Sequence, residues 1–527
     1  MNSKKLILTA LSAGAPVLSL SAGEQPNILF IFTDDHAEKA ITAYSDFFRT
    51  GGFETPNIDR LANEGAVLLN NTCCNSISGP SRAAVLTGKH SHKNGFTDNS
   101  TTFNPRQFTF PRELQKNGYQ TALIGKWHLG DNLNPGEAGF DHWNVLINQG
   151  TYYNPQFRTP KGRKTVKGYS TDIITDLSME WMDRALENGG PFLMMCQYKA
   201  PHRDWQPAMR HLDLYRGVEW PVPDNFFYDF DSAPRYLQET RMRVDGHMFP
   251  GWDMKLRKNE IPKNYKNLYG NDMINSEPMR LSAKDRKAYY ESYREENEAF
   301  KNGHLTPEEQ ALWKYQRYIR DYLRAVKAVD ENIGRLLDYL EEKGIADNTL
   351  VVYSSDQGFF LGEKGMFDKR WMYSPSLSMP FVARFPGVIP AGTKVTALTQ
   401  NIDFAPTFLE AAGVPVRGEY GIQGKSFLPL LRGESVSDWR DAVYYHFYES
   451  REVEQEHWCP AHYGIFDGRY KLMRLYEEYA DAWELYDLKA DPDEMHNLWG
   501  DDRYASVKQN MMQKLDHLRN LYEDSER

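Results

Sequence analysis

Residues 27–35 read Asn-Ile-Leu-Phe-Ile-Phe-Thr-Asp-Asp, an apolar run that ends in two carboxylates. A short run of this kind is typical of a strand that is buried on both faces, as in a parallel sheet. Three later runs have the same layout, and each leads into polar residues. They are residues 121–124 before Lys126 and His128, residues 192–198 before His202, and residues 350–353 before Asp356 and Gln357. Because open α/β sheets bind ligands beyond the carboxyl ends of their strands, these polar groups predict one site at that edge.

Outward from this run, strand-type and helix-type segments alternate, which predicts an α/β fold with a mostly parallel sheet covered by helices on both faces. The best-defined helix starts at the capping box of residues 306–309 and keeps a helical period up to Gly344. After about Pro415 the pattern changes to short strands and one helix, at residues 442–447, 463–466, 470–475, 483–486 and 504–522. We therefore predict a catalytic domain over residues 24–415 and a smaller α+β subdomain with an antiparallel sheet over residues 416–527.

The sequence leaves two structural questions open. Residues 224–301 are charged and weakly periodic, so they are either an insertion over the catalytic face or a solvated helical excursion without a binding role. Cys196 lies in an apolar run and is expected in the core, whereas the pairing of Cys73, Cys74 and Cys459 does not follow from their spacing.

The N-terminus has the layout of a secretory signal peptide, with Lys4 and Lys5 before an apolar run at residues 6–20 and small residues at 21–23. A buried N-terminal helix fits less well, because the run begins at the chain start and is too short to span a bilayer. No other stretch reaches the ~18 apolar residues of a membrane span. We expect residues 1–23 to be removed and the mature protein to be secreted or periplasmic.

The charge balance restricts the class of partner. The 527 residues include 62 Lys and Arg against 72 Asp and Glu, a net charge of -10. This balance argues against nucleic acid and against an anionic membrane surface as the partner. An anionic substrate must therefore bind in a local basic pocket.

The stretch most informative about chemistry is residues 78–88, Ser-Gly-Pro-Ser-Arg-Ala-Ala-Val-Leu-Thr-Gly. Pro80 in the first turn and Gly88 as a stop predict a short helix with Ser78 at its N-terminus, where free N–H groups favour a nucleophile or an anion. Arg82 comes one turn later and can point back to the same anion.

This stretch resembles the signature of the type I sulfatases: Cys or Ser, any residue, Pro, Ser and Arg, then a short helix that ends in Thr-Gly. The resemblance implies an alkaline-phosphatase-like α/β/α sandwich and oxidation of Ser78 to formylglycine after synthesis. Because the residue is Ser and not Cys, it also implies a radical, oxygen-independent maturase as a partner, and an anaerobic bacterial source. Cys74 is not the precursor, since Cys74-Asn75-Ser76 lacks the following Pro and Arg.

The predicted strand ends supply further residues that resemble the pocket of this family. Residues 118–130 are similar to its second signature, in which Lys126 and His128 stand i, i+2 and can face one pocket. His202 and Lys369 match the second histidine and the second lysine of the family's pocket. Asp34-Asp35 and Asp356-Gln357 resemble its two metal-binding pairs, and residue 78 is the fifth expected metal ligand. Taken alone, Lys126 with His128, or Asp34 with Asp35, would be interpreted as structural residues. Four oxygen donors with no Cys or His suit a hard cation, and a flexible oxygen cage favours Ca²⁺ over Mg²⁺.

The resemblance also implies a mechanism. Arg82, Lys126, Lys369 and the cation would stabilise the charge on sulfate while a hydroxyl of the hydrated aldehyde on residue 78 attacks sulfur in line. His202, assisted by Lys369, would be the general acid toward the departing sugar oxygen. His128 would act on the residue 78 diol and help the sulfated intermediate to collapse.

The stretches 199–205 and 367–371 look most like bacterial sulfatases that act on glycans, among them mucin-desulfating N-acetylglucosamine-6-sulfatases. We therefore expect an exo-acting glycan sulfatase for N-acetylglucosamine 6-sulfate, with Trp205, Asp368 and Arg370 as candidate sugar contacts on loops. Three alternatives stay open. They are a sulfatase for galactose, N-acetylgalactosamine or a uronic acid, a phosphatase or phosphonate monoester hydrolase of the same superfamily, and a catalytically silent glycan-binding protein.

Overall fold

The computed structural model describes residues 25–269, 275–449 and 455–524. The expected signal peptide, residues 1–23, lies outside these residues and stays a prediction. Within the described part of the chain, no helix is both long and apolar enough to cross a membrane.

The larger, N-terminal part of the chain is built on a ten-stranded sheet whose centre is parallel. Strand Asn27–Thr33 lies between Thr349–Ser355 and Phe192–Gln197, and Gln120–Gly125 and His142–Leu146 continue the parallel order. The outer strands are Thr393–Val395, Ala66–Leu68 and Phe381–Arg384 on one side, and Gln156–Thr159 and Gly162–Thr165 on the other. The Phe381–Arg384 strand runs antiparallel to both of its neighbours. The predicted mixed, mostly parallel sheet is confirmed.

Helices cover both faces of this sheet, because successive strand side chains point into two different cores. Phe30 and Phe32 lie in one hydrophobic core, and Leu29 and Ile31 lie in the other. The longer helices on the two faces are Pro56–Asn63, Ser78–Thr87, Phe110–Lys116, Ser170–Asn188, Ala283–Asn302, Pro307–Glu342 and Phe404–Ala411. Together with the sheet they form the predicted α/β/α sandwich.

The long helix Pro307–Glu342 confirms the sequence prediction and fixes one strand end. Its capping box is present, with the Glu309 N–H donating to Thr306 Oγ1 and the Thr306 N–H donating to the Glu309 carboxylate. Halfway along it, the Tyr322 hydroxyl donates to the Asp35 carbonyl oxygen at 2.7 Å and accepts from the Ala37 N–H at 2.9 Å. The helix therefore holds the loop that carries Asp34 and Asp35.

The C-terminal part forms a four-stranded antiparallel sheet of strands Val443–Phe447, His462–Phe466, Tyr470–Glu477 and Ala480–Asp487. Helix Ala505–Tyr522 packs on one face of it through Met511, Leu515 and Leu518. The predicted sheet and closing helix are confirmed, whereas the boundary between residues 415 and 416 stays a prediction. The His446 N–H donates to the Cys74 carbonyl oxygen, so the sheet contacts the segment before Ser78.

The described parts of residues 224–301 contain a segment beside the loop that carries His202 and a helix that packs on the long helix, and their role in binding stays open. Helix Ala283–Asn302 is an excursion that packs on the long helix, where the Tyr293 hydroxyl donates to Asp321 Oδ1 at 3.0 Å. Before it, Asp253 accepts from Nε and Nη2 of Arg203 at 2.7 and 2.6 Å. This earlier part therefore lies against the loop that carries His202.

Each of the four cysteines, all of them within the described residues, is buried and has a free thiol. Cys196 lies in the central strand Phe192–Gln197 and belongs to the core, as the sequence predicts.

Candidate active site

Residues that follow four neighbouring strands meet at the carboxyl edge of the sheet. The Asp35 N–H donates to Asp356 Oδ1 at 3.1 Å across 321 positions of the chain. The Lys126 N–H donates to the Gln197 carbonyl oxygen at 2.8 Å, and the Asp34 N–H donates to that of Ala200 at 3.4 Å. The loops after all four strands are thus hydrogen-bonded to one another or to a neighbouring strand.

Ser78 lies at the centre of this edge, at the N-terminus of helix Ser78–Thr87. Its hydroxyl donates to Asp34 Oδ1 at 2.9 Å and accepts from Gln357 Nε2 at 3.3 Å. A side chain at Gly79 would come within 2.6 Å of Asn99 Oδ1 and of the Phe96 ring, so a larger residue after Ser78 would require these two side chains to shift. At the other end, Gly88 stops the helix in the left-handed conformation, with φ of 66°.

Three cationic side chains each face a buried carboxylate. Arg82 Nε and Nη2 lie 3.1 and 3.0 Å from Asp356 Oδ2, Lys369 Nζ lies 2.6 Å from Asp35 Oδ2, and Lys126 Nζ donates to Asp34 Oδ2. Each of these six side chains is at least nine-tenths buried. Buried charges are stable only when they are paired. The predicted sulfate-binding cations are therefore paired with the predicted metal-binding carboxylates.

The three carboxylates differ in their pKa values because their surroundings differ. Burial raises the pKa of Asp34, but Lys126 and the other nearby cationic groups outweigh it and hold that pKa well below its usual range. Burial keeps the pKa of Asp35 above its usual range, and burial together with Asp34 raises the pKa of Asp356 to about 7. A further cation near Asp35 and Asp356 would favour their ionised forms.

Gln357 shows that the site fits a metal. Its Nε2 donates to Asp35 Oδ1 at 2.5 Å, while its Oε1 is buried and has no hydrogen-bond donor among the described residues. An unpaired amide oxygen beside three buried carboxylates is a donor set for a hard cation. Carboxylate oxygens of Asp34 and Asp35 also lie within 4.8 Å of a ring nitrogen of His202 and of each other, but a hard cation prefers the oxygens.

The two predicted histidines lie in the same pocket. His202 Nδ1 is 2.5 Å from the Arg203 carbonyl oxygen, so Nδ1 carries the hydrogen, and Nε2 is 3.7 Å from Asp35 Oδ2. Burial and the lysines Lys126 and Lys369 hold the pKa of His202 well below its usual value, and burial and Lys126 do the same for His128. Burial therefore disfavours the protonated form of both imidazoles.

Two glutamines complete the pocket, and sequence reasoning missed both. Gln197 Oε1 accepts from Arg82 Nη1 at 2.8 Å. Gln149 contacts both Lys126 Nζ, at 2.6 Å, and His128 Nε2, at 3.0 Å. The available signal was that each stands at or just after the carboxyl end of a central strand, the same rule that selected Lys126 and His202.

Asp368 and Arg370, two of the candidate sugar contacts, flank Lys369 in a left-handed stretch of backbone, with φ of 80° and 86°. Arg370 Nη1 donates to Asp368 Oδ1 at 2.8 Å, and His457 Nδ1 lies 2.6 Å from Asp368 Oδ2. The structure therefore brings both residues to the Lys369 side of the pocket. The contact with His457, which the sequence did not predict, comes from the C-terminal part of the chain.

The structure places Trp205 elsewhere. Its side chain has no exposed area and packs against the rings of Tyr318, Phe359 and Phe367. We therefore correct the expectation of a sugar contact: Trp205 is a core residue beneath the loop that carries His202, because the long helix covers it.

Comparison with known proteins agrees with this geometry. The family model for sulfatases matches residues 26–414, and one described as N-sulphoglucosamine sulphohydrolase, C-terminal, matches residues 362–521. The N-acetylglucosamine-6-O-sulfatase of Bacteroides thetaiotaomicron is 44% identical over 511 residues, which cover 95% of this chain and 88% of the relative. Human N-acetylglucosamine-6-sulfatase is 25% identical over 544 residues, which cover 94% of this chain and 85% of the relative.

Solved structures give the same result. A protein in complex with its substrate D-glucosamine-2-N,6-O-disulfate matches with a TM-score of 0.88 and 43% identity, covering 95% of this chain and 99% of that one. The phosphonate monoester hydrolase of Agrobacterium radiobacter shares only the fold, with a TM-score of 0.62 and 18% identity over 94% of this chain and 96% of its own. The motif around Ser78, the sheet and these similarities agree, and the chain belongs to the sulfatase family of sulfuric ester hydrolases.

Proposed function

We propose that this chain removes the 6-O-sulfate from N-acetylglucosamine at the ends of sulfated glycans. The similarity to an N-acetylglucosamine-6-O-sulfatase over 95% of the chain supports the choice of sugar. The observation that carries the proposal is the position of the Ser78 hydroxyl, which is buried between Asp34 and Gln357. Arg82, Lys126 and Lys369 surround it, so a sulfate group could be bound there by three cations.

Residue 78 is proposed to be the formylglycine precursor and the substrate of a radical, oxygen-independent maturase. The Ser-Gly-Pro-Ser-Arg stretch supports this, because it is the family's maturation signal in its serine form. When it is oxidised, residue 78 supplies a hydrated aldehyde as the nucleophile toward sulfur. The hydrogen bonds from and to Asp34 and Gln357 fix where that residue stands.

Asp34, Asp35, Asp356 and Gln357, together with residue 78, are proposed to hold Ca²⁺. The unpaired Oε1 of Gln357 supports this ligand set. Three carboxylates balance the three cations Arg82, Lys126 and Lys369, so the pocket needs one more positive charge to attract sulfate. Bound Ca²⁺ would supply that charge next to the sulfate oxygens.

Each remaining side chain has a role that its contacts support. Arg82, Lys126 and Lys369 bind and orient the sulfate in a site where burial strengthens their charge. His202 Nε2 carries no hydrogen in the neutral imidazole, because Nδ1 donates to the Arg203 carbonyl oxygen. The negative charge of a bound sulfate raises the pKa of this imidazole, which can then give a proton to the departing sugar oxygen with the help of Lys369. His128 is proposed to act at residue 78.

The surroundings of the pocket favour a chain end as substrate. Arg203 binds Asp253 on one side and Glu456 on the other, at 2.6 and 2.8 Å, and His457 binds Asp368. Segments from the middle and from the C-terminal part of the chain therefore close the pocket around the proposed sugar contacts Asp368 and Arg370. We propose exo action for this reason, by an enzyme exported through the signal peptide at residues 1–23.

The test is a comparison of four sulfated sugars with enzyme that has been matured by a radical maturase. The panel is N-acetylglucosamine 6-sulfate, galactose 6-sulfate, N-acetylgalactosamine 4-sulfate and a 2-O-sulfated uronic acid, and Ser78→Ala is the matched control. Release of sulfate from the first sugar and none with the control is the expected result. Cleavage of another sugar while the first is untouched would contradict the substrate, and no cleavage of any sulfate ester would contradict the whole proposal.

A further inference from the structure

Gln149 connects the two residues of the second signature. Its Oε1 lies 2.6 Å from Lys126 Nζ, and its Nε2 lies 3.0 Å from His128 Nε2. The residue follows strand His142–Leu146, the parallel neighbour of the strand that leads to Lys126. One amide therefore contacts both a cation and an imidazole of the proposed pocket.

The chemistry of Lys126 and His128 determines which end of the Gln149 amide faces each of them. An ammonium group has only hydrogen-bond donors, so the group that faces Lys126 must be the amide oxygen. The Lys126 ammonium also donates to Asp34, which keeps it charged and in place. The amide NH₂ group is consequently left for His128, and this orientation does not depend on how the two amide atoms were assigned.

The state of His128 follows from the same bond. An NH₂ group can only donate, so His128 Nε2 must accept and cannot carry a hydrogen while the bond exists. In the neutral imidazole the hydrogen is then on Nδ1, which is buried and has no hydrogen-bond partner among the described residues. His202 has the same hydrogen position but leaves Nε2 open, so the two histidines offer different atoms for catalysis.

We propose that Gln149 is a positioning residue that holds His128 in the Nδ1–H tautomer and orients the ammonium group of Lys126. Its catalytic consequence rests on the proposed function, because it acts through His128 and Lys126. The tautomer itself does not rest on that function. With Nε2 bonded to Gln149, the Nδ1–H group is the part of the ring that has no hydrogen-bond partner among the described residues.

The tautomer is measured on unmodified protein with Ser78 intact, labelled with ¹⁵N-histidine. The His128 signals are identified as those that disappear in His128→Asn. In the parent protein we expect a protonated Nδ1 and an unprotonated Nε2. In Gln149→Glu the carboxylate can only accept, so Nε2 must gain the hydrogen; in Gln149→Met, which keeps the length and removes both bonds, the fixed tautomer is lost. Protonated Nε2 in the parent, or the same pattern in all three proteins, would overturn the proposal.

Kinetics of matured enzyme test the consequence for catalysis. We expect Gln149→Met to lower kcat about 10–100-fold, as for other residues that orient a catalytic side chain, with KM changed less than about threefold. Gln156→Met, in the outer strand Gln156–Thr159 next to the edge of the sheet, is the matched control and should keep both constants. A change of tautomer with unchanged kcat would contradict the proposed role of His128 and leave the positioning role intact, whereas a parent protein without the Nδ1–H tautomer contradicts the positioning role itself.

Discussion

The side chain of Lys369 connects two parts of the pocket. Its Nζ bonds to Asp35, and its neighbours Asp368 and Arg370 bond to each other. The side chain thus stands between the proposed metal ligands and the proposed sugar contacts. This position makes it the residue whose loss should affect the reaction more than the fold.

Replacing Lys369 by methionine tests this role. We expect kcat/KM to fall about 10²–10³-fold, because a buried cation that stabilises developing charge is lost. Lys369→Arg should not restore activity, since the site is almost closed to solvent and the guanidinium is larger than the ammonium. Steady-state rates on N-acetylglucosamine 6-sulfate give the measurement. Lys394→Met, on an exposed position of an edge strand, is the control, and a Lys369→Met enzyme within about threefold of the parent would contradict the role.

Single residues were predictable from the sequence where their signal was local. Ser78, Arg82, Lys126 and His202 follow strands or lie in a motif, so a short stretch selects each of them. Gln149 was missed although it follows a strand of the sheet, because its partners lie 21 and 23 positions away and no motif links them to it. Trp205 was misplaced because a loop aromatic residue has the same sequence signal whether it faces a sugar or, as here, the core.

At the scale of elements, the ends of two parallel strands form the proposed metal site. Asn27–Thr33 and Thr349–Ser355 are paired in register up to Thr33 opposite Ser355, so the residues that follow them must lie side by side. Asp34-Asp35 and Asp356-Gln357 are these residues. Sheet pairing, and not proximity in the chain, therefore assembles the ligand set.

Removal of the cation should abolish activity without unfolding the protein. We expect a chelator to eliminate turnover and Ca²⁺ to restore it, because the donor set consists of oxygens. Circular dichroism before and after chelation checks that the sheet persists. Gln357→Leu, which removes the unpaired oxygen, should raise the Ca²⁺ concentration needed for activity. Restoration by Zn²⁺ alone would contradict the assignment and favour a zinc phosphatase.

Elements with regular apolar patterns could be predicted, and weakly amphipathic ones could not. The central strands and the helix Pro307–Glu342 were evident because each contains a regular run of buried apolar residues. Helix Ala283–Asn302 was not assigned, because its buried residues are only Tyr289, Tyr293, Asn297 and Phe300 on an otherwise charged surface. Tyr293 bonds to Asp321 of the long helix against which this helix packs.

In the whole molecule, the C-terminal sheet supports the catalytic loops. The Tyr445 hydroxyl lies 2.6 Å from Ser76 Oγ and donates to the Arg370 carbonyl oxygen. His462 Nδ1 donates to the Pro460 carbonyl oxygen at 2.7 Å, and its Nε2 accepts from the Met372 N–H at 3.0 Å. The subdomain is therefore part of the active-site scaffold, which the sequence could not show because these contacts join distant segments.

His462 makes this support sensitive to acid. Both ring nitrogens are used by the neutral form, and burial lowers the pKa of His462 from 6.5 to about 3. Below pH 6.5 this histidine therefore binds a proton in the unfolded chain but not in the folded protein. The free energy of unfolding falls by about 1.4 kcal/mol per pH unit as the pH drops from 6.5 toward 3. His462→Gln removes this titration.

Urea denaturation of both proteins between about pH 7 and pH 4 gives the measurement, and the other titrating groups cancel in the difference. We expect the free energy of unfolding of the parent to fall more steeply with acid than that of His462→Gln. His496→Gln, at an exposed histidine, is the control, and its free energy of unfolding should change with pH as that of the parent does. Parallel curves for His462→Gln would contradict the burial of a neutral histidine between the two segments.

The central claim for the whole molecule is that residue 78, once oxidised, performs the hydrolysis. Preparations made with different amounts of radical maturase should differ in the fraction of the tryptic peptide containing Ser78 that is lighter by two hydrogens. We measure this fraction by mass spectrometry and, on the same samples, the turnover of N-acetylglucosamine 6-sulfate. The account predicts turnover proportional to the converted fraction, with none at zero conversion and none in Ser78→Ala. Full turnover in a preparation whose Ser78 is unmodified would contradict it.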